Sequence, residues 1–137
     1  MGYGPRTDQE VFKIIGDNFT ELKIVDKLEL IDKFFFHSAL AIAFLDEETL
    51  TYYPPAPSNE NQRFLQKKFD KIITVSEQDA KKYFVCNNIP VGKTIIMDNW
   101  TPALENSLKH LRFEIKKCDV TEFTMSRGSV RCLVLKL

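Results

Sequence analysis

An almost unbroken apolar run, from Phe34 to Leu45, most constrains how this chain can fold. Such a run is typical of a strand that is buried on both faces, since a half-exposed strand alternates apolar and polar residues. An acidic turn at 46–48 and a second predicted strand, Thr49–Tyr53, follow it. We therefore predict a hairpin over 34–53, which ends at a cluster of three prolines because proline cannot donate to the ladder of a sheet.

The rest of the chain alternates short helices with short strands. We predict helices that begin at Thr7 or Asp8, at Ser58 or Asn59, at Ser76 and at Thr101, and strands over 22–30, 71–75, 94–97, 112–117 and 130–137. The hairpin interrupts the alternation, which excludes a simple doubly wound parallel sheet. The pattern therefore predicts an α/β fold with mixed sheets.

Length and charge narrow the class of protein further. The chain has 137 residues, of which 44% are hydrophobic, and this is enough for one domain with its own core. Its 19 Lys and Arg balance 19 Asp and Glu, whereas a nucleic-acid binder needs excess cation. No apolar segment approaches the roughly 18 residues that span a bilayer, and no secretory leader is visible. We expect neither a nucleic-acid nor a membrane partner.

The cysteines and histidines are few and widely spaced. The three cysteines are Cys86, Cys118 and Cys132, and the only histidines are His37 and His110. This spacing matches neither a disulfide framework nor a metal-binding motif. We therefore predict no metal, no cofactor and a reduced, cytoplasmic setting.

Cys132 is the first candidate for chemistry. It closely follows Arg127 and Arg131, and nearby cations favour the reactive thiolate form of a cysteine. Gly128 allows a tight backbone approach just before it. Alternation along the predicted last strand places Cys132 on the face opposite a leucine stripe. The alternative is a buried core cysteine beside two solvated arginines.

His37 and Arg6 are the other two candidates. His37 ends an aromatic run, and a histidine there can serve as a general acid or base. Its alternative is a core histidine bonded to a backbone carbonyl. Arg6 follows a Gly-Pro turn and can bind a carboxylate through two parallel hydrogen bonds. Its alternative is an exposed surface arginine.

Four segments, in order along nearly the whole chain, resemble the guanidino-group-modifying superfamily of amidinotransferases, arginine deiminases and dimethylarginine dimethylaminohydrolases. They are Gly2–Thr7, Phe36-His37 followed by Thr49–Pro55, Phe84–Asn87 and Ser126–Leu133. The most specific is the last, a glycine-containing turn followed by a cysteine and an apolar end. The resemblance covers the C-terminal half of the family's catalytic unit. We therefore predict that residues 1–137 form a single domain similar to that half.

The resemblance also implies a fold and a chemistry. The fold would be a partial, pentein-like α/β-propeller, built from ββαβ units with mixed sheets. Cys132 would be the nucleophile that attacks a guanidinium carbon, His37 would protonate the departing amine, and Arg6 would bind the substrate carboxylate. Water or a second amine would resolve the thiouronium intermediate, as in a hydrolase or an amidinotransferase acting on arginine-like substrates.

Two departures from the family pattern leave three hypotheses open. The family's His-x-Asp is His37-Ser38-Ala39 here, and the acidic motifs normally lie in the other half. The chain could be an enzyme completed by another copy or chain, a non-catalytic ligand-binding or protein-interaction module, or a truncated part of a larger enzyme. Half a propeller would expose apolar flanks and strand edges, so we also expect a homo-oligomer, most simply a twofold dimer.

Overall fold

The computed structural model describes residues 1–19, 21 and 26–135. Part of the predicted strand 22–30 and the end of the predicted strand 130–137 lie outside the described residues. The strands are β1 Gly2–Tyr3, β2 Leu28–Glu29, β3 Ile42–Phe44, β4 Thr49–Tyr52, β5 Lys71–Thr74, β6 Ile89–Val91, β7 Thr94–Met97 and β8 Glu114–Lys117. The helices are α1 Val11–Asn18, α2 Ser38–Ala41, α3 Asn59–Lys68, α4 Pro102–His110 and α5 Thr121–Thr124, with a π-helical turn Gln78–Lys82 and a 3₁₀ turn Val130–Leu133.

Two copies of one ββαβ arrangement make up most of the described chain. The first unit is β3, β4, α3 and β5, and the second is β6, β7, α4 and β8. In each unit the first two strands are antiparallel, and the helix returns the chain so that the third strand runs parallel to the second. The short β1 and β2 form a separate parallel pair. This confirms the predicted ββαβ units and mixed sheets.

Local capping chemistry fixes where three of the helical segments begin. The hydroxyls of Ser58, Ser76 and Thr101 each accept a hydrogen bond from the backbone N–H three residues later, at 3.4, 3.1 and 3.4 Å. Each bond pairs an N–H that the first helical turn leaves free. Pro102 follows Thr101 at the position where a missing N–H costs nothing. The predicted starts at these three residues are confirmed.

The apolar run is not one strand, and the predicted strand over 34–45 is wrong in its first half. Asp32 turns the chain, since its carboxylate accepts the N–H of Phe34 at 2.9 Å and its carbonyl accepts that of Phe35 at 3.0 Å. Phe35 is fully buried nonetheless. The turn leads into α2 and then β3, which pairs with β4 as the second half of the predicted hairpin. Within the turn and helix, Phe35, Leu40 and Ala41 are buried in the core, which accounts for much of the apolar character of this part of the run.

The predicted final strand, Val130–Leu137, is also wrong over the residues that the structure describes. The chain forms a 3₁₀ turn over Val130–Leu133, so Cys132 does not lie on a strand face. The N–H groups of Ser129 and Arg131 donate to the side chain and carbonyl of Asn87, at 2.9 and 3.2 Å, instead of to a neighbouring strand. A contact distant in sequence therefore overrides the alternating pattern.

One hydrophobic core runs through both ββαβ units. Every residue of β4 is at most 3% exposed, which makes it the most deeply buried strand of the fold. Buried Asp79 joins the units, because it accepts hydrogen bonds from the hydroxyl of Ser76 and from Thr101 at the start of α4. Among the described residues, no helix combines the length and the apolar character that a bilayer crossing requires.

Candidate active site

An open pocket of about 520 Å³ lies between the N-terminal loop and the C-terminal turn. Two of the three predicted site residues, Arg6 and Cys132, line it from opposite ends of the sequence. The full lining is Arg6, Phe36, Phe123, Ser126, Arg127, Gly128, Cys132 and Leu133. The pocket therefore brings together one thiol, two guanidinium groups and an apolar wall.

Arg6 is held at the pocket by an aromatic ring and a tight turn. Its guanidinium carbon lies 4.4 Å from the centroid of the Phe36 ring. The turn closes through the N–H of Gly4, which donates to the carbonyl of Thr7 at 3.0 Å. A Cβ at Gly4 would lie 2.5 Å from the carbonyl oxygen of Leu30, so only glycine fits. Stacking uses the flat face of the guanidinium and leaves its in-plane N–H donors free for an anion.

Cys132 is the cysteine that lines the pocket, and it is a free, exposed thiol. Gly128 lies against it, since a Cβ built at Gly128 would be 3.3 Å from the Cβ of Cys132 and 3.5 Å from its Sγ. Cys86, in contrast, is fully buried, and burial together with the nearby Asp79 carboxylate raises its thiol pKa to about 12. Cys118 is exposed but is not part of the pocket. Of the three thiols, only Cys132 can meet a ligand in the pocket.

His37 lies beside the pocket rather than in its wall. It is exposed, and it precedes α2 as the capping residue. Its ring packs edge-on against Phe36, with centroids 4.9 Å apart. Phe36 therefore contacts both Arg6 and His37, and the alternative of a buried core histidine is wrong.

Of the two arginines close to Cys132 in sequence, Arg127 lines the pocket and Arg131 does not. Arg127 has a φ of 60°, a left-handed conformation that costs a non-glycine residue roughly 1–2 kcal/mol. Its guanidinium carbon lies 5.4 Å from the centroid of the Phe34 ring, which helps to hold it there. Arg131 instead lines a separate cavity with Phe44 and other residues.

Asn87 is the residue of the site that the sequence analysis missed. It is fully buried, and its Oδ1 accepts the N–H groups of Ser129 at 2.9 Å and Cys132 at 3.3 Å. Its Nδ2 donates to the carbonyl of Ala39 at 3.1 Å. The signal available in the sequence was the asparagine pair that directly follows an apolar segment, because buried amides require partners.

The chemistry that this arrangement offers is a thiol beside cationic groups. Two guanidinium groups favour an anionic part of a ligand, and the thiol is a nucleophile. Among the described lining residues there is no carboxylate that would bind a guanidinium. In the described part of the chain, no group of three or more His, Cys, Asp and Glu side chains is placed to hold a metal ion.

Comparison with known proteins identifies relatives of this chain. The chain is 34% identical over 140 residues to the N(G),N(G)-dimethylarginine dimethylaminohydrolase of Mycobacterium tuberculosis, which covers 99% of this chain and 44% of that protein. It superposes with a TM-score of 0.90 and 32% identity on the N-terminal domain of ArgZ, a cyanobacterial arginine dihydrolase, bound to its product. The chain is therefore similar, over nearly its whole length, to enzymes of the guanidino-group-modifying superfamily. No protein-family model matches it.

Other members of the superfamily extend the comparison. The bifunctional arginine dihydrolase/ornithine cyclodeaminase AgrE of Nostoc is 29% identical over 138 residues, which cover 99% of this chain and 19% of AgrE. A citrulline complex of the dimethylaminohydrolase from Pseudomonas aeruginosa, at 18% identity and a TM-score of 0.74, shares the fold. These superpositions confirm the partial, pentein-like α/β-propeller. The match to ArgZ covers 98% of this chain and 49% of that domain, so the chain spans about half the length of these relatives or less.

Proposed function

We propose that the chain forms part of the active site of a cysteine-dependent hydrolase that acts on an arginine-like guanidino substrate. The observation that carries this proposal is the shared pocket of Arg6 and Cys132, in a chain that aligns over 99% of its length with a dimethylarginine dimethylaminohydrolase. Cys132 is the nucleophile, His37 the acid and base, and Arg6 the group that binds the substrate carboxylate.

The steps follow from the chemistry of these groups. The thiolate of Cys132 forms a C–S bond to the guanidinium carbon, and the resulting tetrahedral centre collapses with cleavage of a C–N bond. His37 gives its proton to the departing amine. Water then adds to the thiouronium carbon and loses a proton to His37, and cleavage of the C–S bond releases a ureido product and the thiolate. These reaction steps need a thiol, a histidine and water, and they need no cofactor.

Hydrolysis is favoured over amidino transfer by the relatives. The similar proteins are named as a dimethylaminohydrolase and as arginine dihydrolases, in which water is the acceptor. Transfer to a second amine uses the same thiouronium and differs only in the final acceptor. Arginine and its methylated derivatives are therefore the substrates to test first.

A complete guanidinium site requires groups beyond the described lining. Burying a guanidinium without carboxylate partners is costly, and the described pocket wall contains none. Several apolar side chains are exposed as well, with Phe123 at 53%, Met125 at 83% and Leu135 at 83%. We infer that a second copy or a complementing chain covers this side and contributes the acids. The three free cysteines are compatible with a reducing, cytoplasmic setting.

A specific observation favours a second candidate function. Ala39 stands where the family pattern has an aspartate, and the described pocket wall lacks a carboxylate. A relative of this kind could bind the carboxylate of an arginine-like ligand through Arg6 without turning it over. The chain would then serve as a ligand-binding or interaction module, or as one part of a larger enzyme.

Product analysis and measurements of arginine binding distinguish the hydrolase from the binding module. The full chain and its Cys132→Ser variant are incubated with arginine and dimethylarginine over a range of protein concentrations, and products are identified by mass spectrometry. Citrulline or ornithine from the wild type alone supports the hydrolase. Arginine binding without turnover, lost in Arg6→Ala, supports the binding module. If the chain shows neither turnover nor binding, both the binding module and a hydrolase formed by copies of this chain alone are contradicted.

A further inference from the structure

Asn87 connects the two segments that carry the proposed nucleophile and the proposed acid. Its Oδ1 accepts the N–H groups of Ser129 and Cys132, and its Nδ2 donates to the carbonyl of Ala39. Its own backbone carbonyl accepts the N–H of Arg131 at 3.2 Å. One buried residue therefore bonds the 3₁₀ turn that presents Cys132 and the short helix α2.

The contact with Ala39 is also a contact with the His37 segment. Ala39 is the second residue of α2, a helix of four residues that His37 caps. The carbonyl of His37 accepts the N–H of Leu40 at 3.0 Å, which ties His37 to this single turn. A displacement of the Ala39 carbonyl would therefore move His37 as well.

Asn87 is itself held rigidly. Its N–H donates to the carbonyl of Phe84 at 2.8 Å, in a turn where Phe84 adopts a φ of 50°. Its side chain is fully buried, so water cannot replace the bonds that it makes. Asn87 is therefore held in place by its own turn while its side chain holds the Cys132 turn and α2.

The pattern of bonds requires an amide. One planar group must accept two N–H bonds on its oxygen and donate one from its nitrogen, which asparagine does. Aspartate would keep the acceptor oxygen but would place a second oxygen against the Ala39 carbonyl, where the Nδ2 of Asn87 now lies at 3.1 Å. Alanine would leave buried N–H groups without a partner, which is costly.

We propose that Asn87 is a positioning residue that sets the spacing between Cys132 and His37. The proposal rests on the proposed function for the roles of those two residues. Asn87 touches no substrate in this scheme and acts only through the backbone groups that it holds.

The neighbouring asparagine supplies a matched control. Asn88 is also buried, at 2% exposed, but its Nδ2 donates to the carbonyl of Val85 at 2.8 Å, away from both segments. Asn87→Ala, Asn87→Asp and Asn88→Ala are compared with the wild type in two measurements. The first is amide hydrogen exchange at Ser129 and Cys132. The second is the rate at which chloroacetamidine, relative to neutral iodoacetamide, alkylates Cys132.

Asn87→Ala is expected to speed amide exchange at Ser129 and Cys132 by about tenfold and to reduce the amidine preference of Cys132 by about tenfold, the effect of one lost hydrogen bond. Asn88→Ala should leave both within about twofold, as expected where no bond to either segment is lost. Asn87→Asp, which keeps the acceptor, should retain slow exchange at Ser129 and Cys132 while losing the amidine preference. It replaces the alanine variant if that variant does not fold.

The proposal would be overturned if Asn87→Ala and Asn88→Ala changed the exchange rates and the amidine preference equally. It would also be overturned if Asn87→Asp kept the amidine preference of Cys132. A wild type without any amidine preference at Cys132 would instead contradict the proposed function for a site formed by this chain or by copies of it. In that case the exchange rates alone decide the proposal, because faster exchange in Asn87→Ala supports positioning of the Cys132 turn and unchanged exchange overturns it.

Discussion

The guanidinium carbon of Arg6 lies 4.4 Å from the centroid of the Phe36 ring, at the wall of the pocket that contains Cys132. The same ring packs edge-on against His37, with centroids 4.9 Å apart. One aromatic side chain therefore contacts both the proposed carboxylate-binding residue and the proposed acid and base. Phe36, which belongs to the apolar run, therefore also helps to position two of the proposed site residues.

Replacing Phe36 by leucine should weaken the binding of ligands that carry a carboxylate. The variant keeps apolar packing but loses the cation–π contact with Arg6, which at an exposed site is worth about 0.5–1 kcal/mol, or roughly two- to fivefold in Kd. Calorimetry with arginine and with its decarboxylated analogue measures this effect. The analogue is the control, and equal weakening for both ligands would show that Phe36 does not act through Arg6.

Removing the buried carboxylate of Asp79 should destabilise the fold strongly. It accepts hydrogen bonds from Ser76 at 2.7 Å and from the N–H and hydroxyl of Thr101, both at 2.8 Å. Asp79→Ala leaves these donors unpaired, so we expect a loss of about 2–4 kcal/mol in the free energy of unfolding by urea. Ser107→Ala, which removes an exposed hydroxyl of α4, should change it by less than about 0.5 kcal/mol. Similar values for both variants would contradict the linking role of Asp79.

Stability should fall at acid pH partly through Asp46. A hydrogen bond from Lys93, and further bonds from Thr49 and Glu48, lower the pKa of Asp46 from 3.8 to about 2. Because the folded pKa lies below the unfolded one, this stabilisation is complete above about pH 4 and is lost as the pH falls through 2. The pair is partly exposed, so screening limits its contribution to about 0.5–1 kcal/mol.

Urea unfolding of the wild type and of Lys93→Met at pH 6 and at pH 2 checks this prediction. The difference in stability between the two proteins should be largest at pH 6 and should shrink at pH 2. Lys116→Met is the control, because Lys116 is exposed and takes part in no ion pair among the described residues. A difference that is independent of pH would contradict the role of the Asp46–Lys93 pair.

Self-association is expected from the exposed apolar side chains of the described residues. Burying such surface is favourable at about 25 cal/mol per Å², and a twofold dimer is the simplest closed arrangement. Light scattering should give a mass near twice that of the chain at micromolar concentration. A stable monomer under these conditions would exclude the homodimer and leave a complementing chain as the source of the missing acids.

Structural features that depend only on residues nearby in the chain, such as helix starts, could be predicted from the sequence. Ser58, Ser76 and Thr101 were correct helix starts because a cap bonds a backbone group three residues away. The segments 34–37 and 130–133 were wrongly assigned to strands because their structure depends on Asp32 and on distant Asn87. Apolar content reports burial, but it does not distinguish a buried turn from a buried strand.

Residue chemistry indicated Cys132, His37 and Arg6 one by one, but only the family resemblance predicted that they belong to one site. Arg6 and Cys132 lie at opposite ends of the chain, and no periodic pattern connects them. Arg131 was an equally good cation by sequence spacing, but the 3₁₀ turn directs it to another cavity and leaves Arg127 at the pocket. The bonds of Asn87, which create this turn, are visible only in the folded chain.

Chloroacetamidine labelling of the wild-type chain, with mass spectrometry reporting each cysteine separately, measures directly whether Cys132 is a nucleophile in a guanidino-binding pocket. We expect that Cys132 reacts at least about tenfold faster than exposed Cys118, that arginine slows only Cys132, and that neutral iodoacetamide shows no such preference. Cys86, buried and with its pKa raised to about 12, should stay unlabelled in the folded protein. Equal labelling of Cys132 and Cys118 by the amidine, unaffected by arginine, would contradict a guanidino-binding nucleophile at Cys132.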